Sequence, residues 1–126
     1  IDTCDIVLLC VGELPYAEWN GDTEDLSLTG RCGLEGNAEA IALAQESGLT
    51  TITPIAAGRH VIISDYYDEW DSVIMCYLPG SEGGRAIADN LLGCAEYRGT
   101  LPMPYYENTE DIESGDIWLD IGYSAA

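Results

Sequence analysis

The apolar residues gather into three short continuous runs separated by long polar stretches. Ile6–Val11 (IVLLCV), Thr50–Ala56 (TTITPIA) and Ser72–Leu78 (SVIMCYL) are each too short for a typical helix, and none keeps a strict apolar–polar alternation. Runs of this kind read as strands buried on both faces, as in a parallel sheet. Pro54 places the second run at a strand end or a sheet edge, because proline has no amide to donate to a ladder. Between the first two runs, Ala38, Ile41, Ala42 and Ala44 or Gln45 recur at helical spacing. They predict a helix from Asn37, as its N-cap, to about Ser47, stopped by Gly48. After the third run, Pro79 and Gly80 break the strand. Ser81 then caps a helix from about Glu82 to Leu92, with Ala86, Ile87 and Leu91 inward and Gly93 at its end. His60–Ser64 is a further β-like run, and Asp65–Asp71 is acidic and aromatic, about one helical turn. The rest, Cys94–Ala126, is turn-rich with a late apolar segment, Ile117–Ile121.

Strand, helix, strand, strand, helix is the order of an α/β fold: a three-layer sandwich around a mostly parallel sheet. With 126 residues, one domain spanning 1–126 is expected. Three clear strands make a thin sheet beside the five or six of a doubly wound domain, so part of the sheet is expected to be missing at the N-terminus. The polar stretch from Gly12 to about Gly36 is far longer than an ordinary strand–helix connection. It is the first place to look for chemistry.

Charge narrows the partners. Four basic residues face 23 acidic ones, for a formal charge of −19. Such a surface repels nucleic-acid backbones and anionic membranes. The basic residues are all Arg, and Lys and Phe are both absent, a double absence without a physical account that admits an engineered or restricted alphabet. Cys4, Cys10, Cys32, Cys76 and Cys94 form an odd set without a CxxC pair. Cys10 and Cys76 sit inside apolar runs as small hydrophobes. Neither the cysteines nor the lone His60 has metal-site spacing, so no metal and no cofactor are expected. The cysteine pattern leans toward a reducing, cytoplasmic compartment. No apolar stretch approaches the roughly 20 residues that span a bilayer.

Three segments carry the reading further. Val11–Leu28, VGELPYAEWNGDTEDLSL, is similar to the VGE-x-PYAE-xx-GD-xx-DLSL pattern of family 3 glycoside hydrolases. Ala57–Ser64, AGRHVIIS, resembles that family's SGRPLVIS, and Tyr77–Gly93, YLPGSEGGRAIADNLLG, resembles WLPGSEGGRAIADVLFG. RGTLPMPYY (Arg98–Tyr106) and Leu119–Tyr123 are similar to its closing segments, SGRLPVTFP and F-x-x-GYG. The order is conserved, and PGSEGG and PYAE-xx-GD are specific. The chain departs from the pattern at His60 (usually Pro), Leu92 (Phe), Cys94 (Asp), Thr100 (a basic residue) and Ser124 (Gly).

The resemblance implies the C-terminal, flavodoxin-like α/β domain of a retaining, exo-acting β-glucosidase or β-glucanase. Such an enzyme uses two carboxyl groups roughly 5 Å apart across the scissile bond. The family's nucleophile is an Asp of a preceding barrel domain, absent here, so this chain alone is expected to be inactive. In the subgroup sharing PYAE-xx-GD, the acid/base is the Glu of that motif, here Glu18. Tyr16 and Trp19 would flank it, stack on sugar faces and supply the apolar wall that raises an acid's pKa. Glu13 would orient the loop, and Asp22 would brace the turn with Gly21. The implied partners are a β-glucoside or β-glucan oligosaccharide and the N-terminal barrel. PGSEGG lacks phosphate-loop spacing and reads as a strand-to-helix turn, while Arg59 and Arg85 are expected to pair with carboxylates inside the fold. The competing reading is a non-catalytic α/β module, isolated or engineered, that binds a sugar or nothing.

Overall fold

The computed structural model describes residues 3–125. Four strands form one parallel sheet: β1 (Ile6–Leu8), β2 (Val11–Gly12), β3 (Thr50–Ala56) and β4 (Ser72–Met75). β1 and β2 both pair with β3, and the same 44-residue offset joins Ile6 to Thr50 and Val11 to Ile55. They are therefore one strand with an interruption at Leu9 and Cys10. Pro54 explains the gap. Leu9 N–H donates to the Ile52 carbonyl at 2.9 Å, and in this register the answering donor would be the amide of residue 54. Proline has none, so the ladder lapses there and resumes at Val11. The expectation that Pro54 marks a strand end or an edge is thus corrected. It lies buried in the middle of the central strand, paired with Ile74 of β4 on its other side.

The helices α1 (Asn37–Ser47) and α2 (Ser64–Tyr67) lie on one face. There Leu9, Val11 and Ile55 of the sheet meet Ile41 and Ala44 of α1, with Trp70 and Tyr66 beside them. Helix α3 (Gly83–Leu91) lies on the opposite face, with Ala86 and Ile87 across a cleft of about 330 Å³ from Ile74 and Cys76. The result is a three-layer α/β sandwich. α3 covers only the β4 side, so Ile6 (54% exposed) and Leu8 (50%) remain open, and Cys10 beside them is exposed. Cys10 is therefore not the interior hydrophobe its apolar run implies. A fourth helix, α4 (Thr109–Ser114), is closed by an Asn108–Asp111 capping box.

Two helix starts differ from expectation. Asn37 is not the cap of α1 but its first residue. Its side chain is buried and its amide donates to the carbonyls of Gly12 (2.7 Å) and Leu28 (2.6 Å). The demand of the loop's carbonyls at Gly12 and Leu28 for a donor outweighs local capping. Ser81 falls inside a 3₁₀ turn, Gly80–Glu82, that leads directly into α3. This turn is structural: Gly80 has φ 67°, and a Cβ on Gly83 would stand 2.7 Å from the Pro79 ring. His60–Ser64 forms no strand; Ile62 makes a single bridge to Ser27. Ile62 N–H donates to the Leu26 carbonyl of the long loop at 2.9 Å, and the Ile63 carbonyl accepts from Tyr66 and Tyr67 as the chain turns into α2.

Candidate functional site

Residues following β2, β3 and β4 converge at the carboxyl end of the sheet, the end where open α/β sheets place ligands. The long loop leaves β2 and returns upon itself. Glu13 bridges Gly33, Leu14 N–H donates to the Cys32 carbonyl at 2.7 Å, and Leu34 N–H to the Gly12 carbonyl at 3.1 Å. The loop is thus an ordered excursion tied at its neck.

A buried ion pair lies at that neck. The Glu13 side chain is only 1% exposed and accepts from Arg59 at 3.0 Å (Nη2) and 3.2 Å (Nε), both at Oε1. Its other oxygen accepts from the Tyr16 hydroxyl at 2.7 Å. Arg59 extends further: Nη1 donates to the Gly21 carbonyl at 2.7 Å, and the guanidinium lies 4.5 Å from the centre of the Tyr16 ring. Burial opposes the Arg59 charge, but the Glu13 hydrogen bonds outweigh it and the guanidinium holds its proton more tightly than usual. The Tyr16 hydroxyl is pushed up, first by burial and then by its bond to Glu13. Gly21 and Gly58 let this cluster close. A Cβ on Gly21 would come 2.5 Å from the Tyr16 ring, and one on Gly58 would come 2.9 Å from its hydroxyl.

Glu18 stands at the apex, first residue of the 3₁₀ turn Glu18–Gly21. It is exposed and has φ 51°, in the left-handed region that L-residues enter at a cost. Trp19 beside it is 72% exposed. Tyr16 turns inward to Glu13 and Arg59 instead of lining Glu18. Gly21 is buried, while Asp22 is exposed and its amide closes the turn on the Trp19 carbonyl at 3.1 Å. The structure thus gathers Glu13, Tyr16 and Gly21 around Arg59 and leaves Glu18, Trp19 and Asp22 facing solvent. Arg85 does not pair inside the fold. It lies 3.7 Å from Asp89 on the surface of α3, where one helical turn brings them together.

Three aromatic groups near this neck, Tyr77, Tyr105 and His60, lie outside the motif of the long loop. Tyr77, just past β4, also has φ 51°. Its hydroxyl and that of Tyr105, which is 1% exposed, are both buried without a hydrogen-bond partner among the described residues, and burial pushes both up. His60 packs edge-on to Tyr105 at 5.2 Å. Burial, and then the Arg59 charge, lower its pKa, which favours the neutral ring. Tyr105 arrives from the turn-rich tail, which docks through Trp118 on Tyr67 at 4.7 Å and the Glu107 carbonyl on Ser64 Oγ at 2.7 Å. Position at the end of β4 was the one sequence clue to Tyr77; nothing local marked Tyr105. A larger cleft of about 390 Å³ lies at the other end of the sheet, among Thr50, Thr51, Trp70 and Asp71. Among the described residues, no group of three or more His, Cys, Asp or Glu is placed to hold a metal ion, and no helix is long and apolar enough to cross a membrane.

Residues 1–123 match the glycosyl hydrolase family 3 C-terminal domain. The chain belongs to that family. This family 3 domain is 36% identical over 111 residues to a lysosomal beta glucosidase of Dictyostelium discoideum, covering 86% of the chain and 13% of the relative. It is 30% identical over 98 residues to a probable beta-glucosidase E of Aspergillus oryzae, covering 76% of the chain and 9% of that protein. It is also 26% identical over 116 residues to a xylan 1,4-beta-xylosidase of Xylanibacter ruminicola, covering 84% and 13%. The family 3 domain thus spans about an eighth or less of the length of these curated relatives. Its family and relatives place it in a glycoside hydrolase context.

Proposed function

We propose that this domain supplies the acid/base loop of a retaining, exo-acting β-glucosidase or β-glucanase, with Glu18 as the proton donor. The observation that carries this reading is the placement of Glu18. It is exposed, on a strained backbone, at the apex of a loop whose neck is locked by a buried ion pair. Strain of this kind persists where the surroundings enforce it, and it clusters at functional sites. The two named β-glucosidase relatives support the substrate class.

In this reading the substrate lies between Glu18 and an N-terminal barrel that carries an Asp nucleophile. The nucleophile attacks the anomeric carbon as Glu18 protonates the leaving oxygen. Glu18, now a carboxylate, then takes a proton from the water that releases the sugar. Trp19, open to solvent here at 72% exposure, stacks on the sugar. Glu13 and Gly21 support the loop from within, and Asp22 supports it through its backbone. Tyr16 acts through its packing under Arg59 and not as a free sugar platform.

The domain by itself is expected to show negligible turnover of an aryl β-glucoside. Joined to its barrel it should be active, and Glu18→Ala should lower kcat for an unactivated glucoside by roughly 10²–10⁴-fold, the usual contribution of general acid catalysis. Azide restores turnover of that variant on an activated aryl glucoside. Robust turnover by the isolated domain, or full activity of Glu18→Ala, overturns the proposal.

A further inference from the structure

We infer that Arg59 is a positioning residue for the Glu18 turn, acting as a clamp that holds both sides of the apex through one guanidinium. This rests on the acid/base reading of Glu18 for its catalytic consequence, but the clamp itself is a property of this chain.

Glu18 lies between two anchors, Tyr16 before it and Gly21 after it, and Arg59 touches both. On the near side its plane covers the Tyr16 ring at 4.5 Å, while Nε and Nη2 hold Glu13, which in turn accepts from the Tyr16 hydroxyl. On the far side Nη1 takes the Gly21 carbonyl at 2.7 Å. The fork geometry is essential. Two edges of one planar group serve an ion pair and a carbonyl, and its face lies over a ring, which a lysine ammonium cannot reproduce. Fixing residues 16 and 21 leaves the chain between them little freedom, and the left-handed conformation of Glu18 is how the turn closes within that span. Glu13 supplies the counter-charge that lets Arg59 remain charged while largely withdrawn from water. The chain has only four basic residues, and the other two ion-paired arginines, Arg85 and Arg98, lie on the surface.

The test uses ¹⁵N relaxation on the chain itself, followed by kinetics on the complete enzyme. In the wild-type chain the amides of residues 16–22 should show order parameters of about 0.85, those of rigid backbone. Arg59→Lys should drop them below about 0.6 while α1 and β3 keep theirs. If Arg59→Lys fails to fold, Glu13→Gln/Arg59→Gln, which removes both charges together, is read in the same way. Unchanged order in the turn, or a loss spread equally over α1 and β3, overturns the clamp.

In the complete enzyme, Arg59→Lys should cut kcat/KM for an alkyl β-glucoside at least tenfold. For a dinitrophenyl β-glucoside, whose leaving group departs without a proton, the loss should be under threefold. A merely structural role would depress both substrates alike, and that result overturns the positioning role. The relaxation measurement makes no reference to catalysis, so failure of the clamp is distinguishable from failure of Glu18 as the acid. Full activity of Glu18→Ala beside a loosened turn in Arg59→Lys would overturn Glu18 as proton donor and leave the clamp standing.

Discussion

Glu18 combines an exposed carboxylate with a backbone conformation that favours glycine. Because the strain belongs to the backbone, two substitutions that remove the same carboxylate should differ in stability. Glu18→Ala keeps a Cβ in the left-handed region, whereas Glu18→Gly releases it. Glu18→Gly is therefore expected to be more stable than Glu18→Ala by about 1 kcal/mol, read from urea midpoints; equal midpoints would mean that the turn carries no strain. Glu13, Tyr16, Glu18, Trp19, Gly21 and Asp22 were singled out because they sit together in one motif, and of these the structure gathers Glu13, Tyr16 and Gly21 around Arg59. Arg59 was legible as an ion-pair partner, but not as the group joining Tyr16 to Gly21. Nothing in AGRH announces a partner nearly 40 residues away. Tyr105 and His60 were harder still, since their contact exists only once the tail docks on α2.

At the scale of elements, the buried runs gave the sheet and its parallel sense, and the spacing of Ile41 and Ala44 with Gly48 gave α1. What escaped the sequence was where polar groups are needed. Asn37 looked like a cap and is a tie: one amide serves the Gly12 carbonyl, which opens the long loop, and the Leu28 carbonyl within it. Replacing it by Ala leaves both acceptors buried without that donor, and stability should fall by about 2 kcal/mol or more. Asn37→Asp is nearly isosteric yet cannot donate, so it should cost at least as much. Urea unfolding checks both, and a tolerated Asp would show that shape and not donation matters there. Pro54 was misplaced for a related reason. The general rule weighs a missing donor against the strand that carries the proline, whereas here the neighbouring strand absorbs the loss as a two-residue gap while β3 runs straight through.

Across the whole molecule, 23 acidic residues repel one another with only four cations to relieve them. Raising ionic strength from about 0.01 M to about 0.5 M contracts the Debye length from roughly 30 Å to less than 8 Å. The folded state, which holds the charges closer than the unfolded chain does, should gain most. The unfolding temperature of this domain is therefore expected to rise by several degrees over that range, as followed by circular dichroism; a flat response would mean that the acids are spaced widely enough not to interact. The same charge bears on the outer edge of β1, which pairs with no further strand among the described residues. Its register on β3 already presents the next row of amides and carbonyls at strand spacing, so the sheet can widen there without any rearrangement of the chain. Its width is thus set by what is supplied to that edge. A second copy brings another −19 and is turned away at low salt, so electrostatics sorts the candidates before hydrogen bonding can.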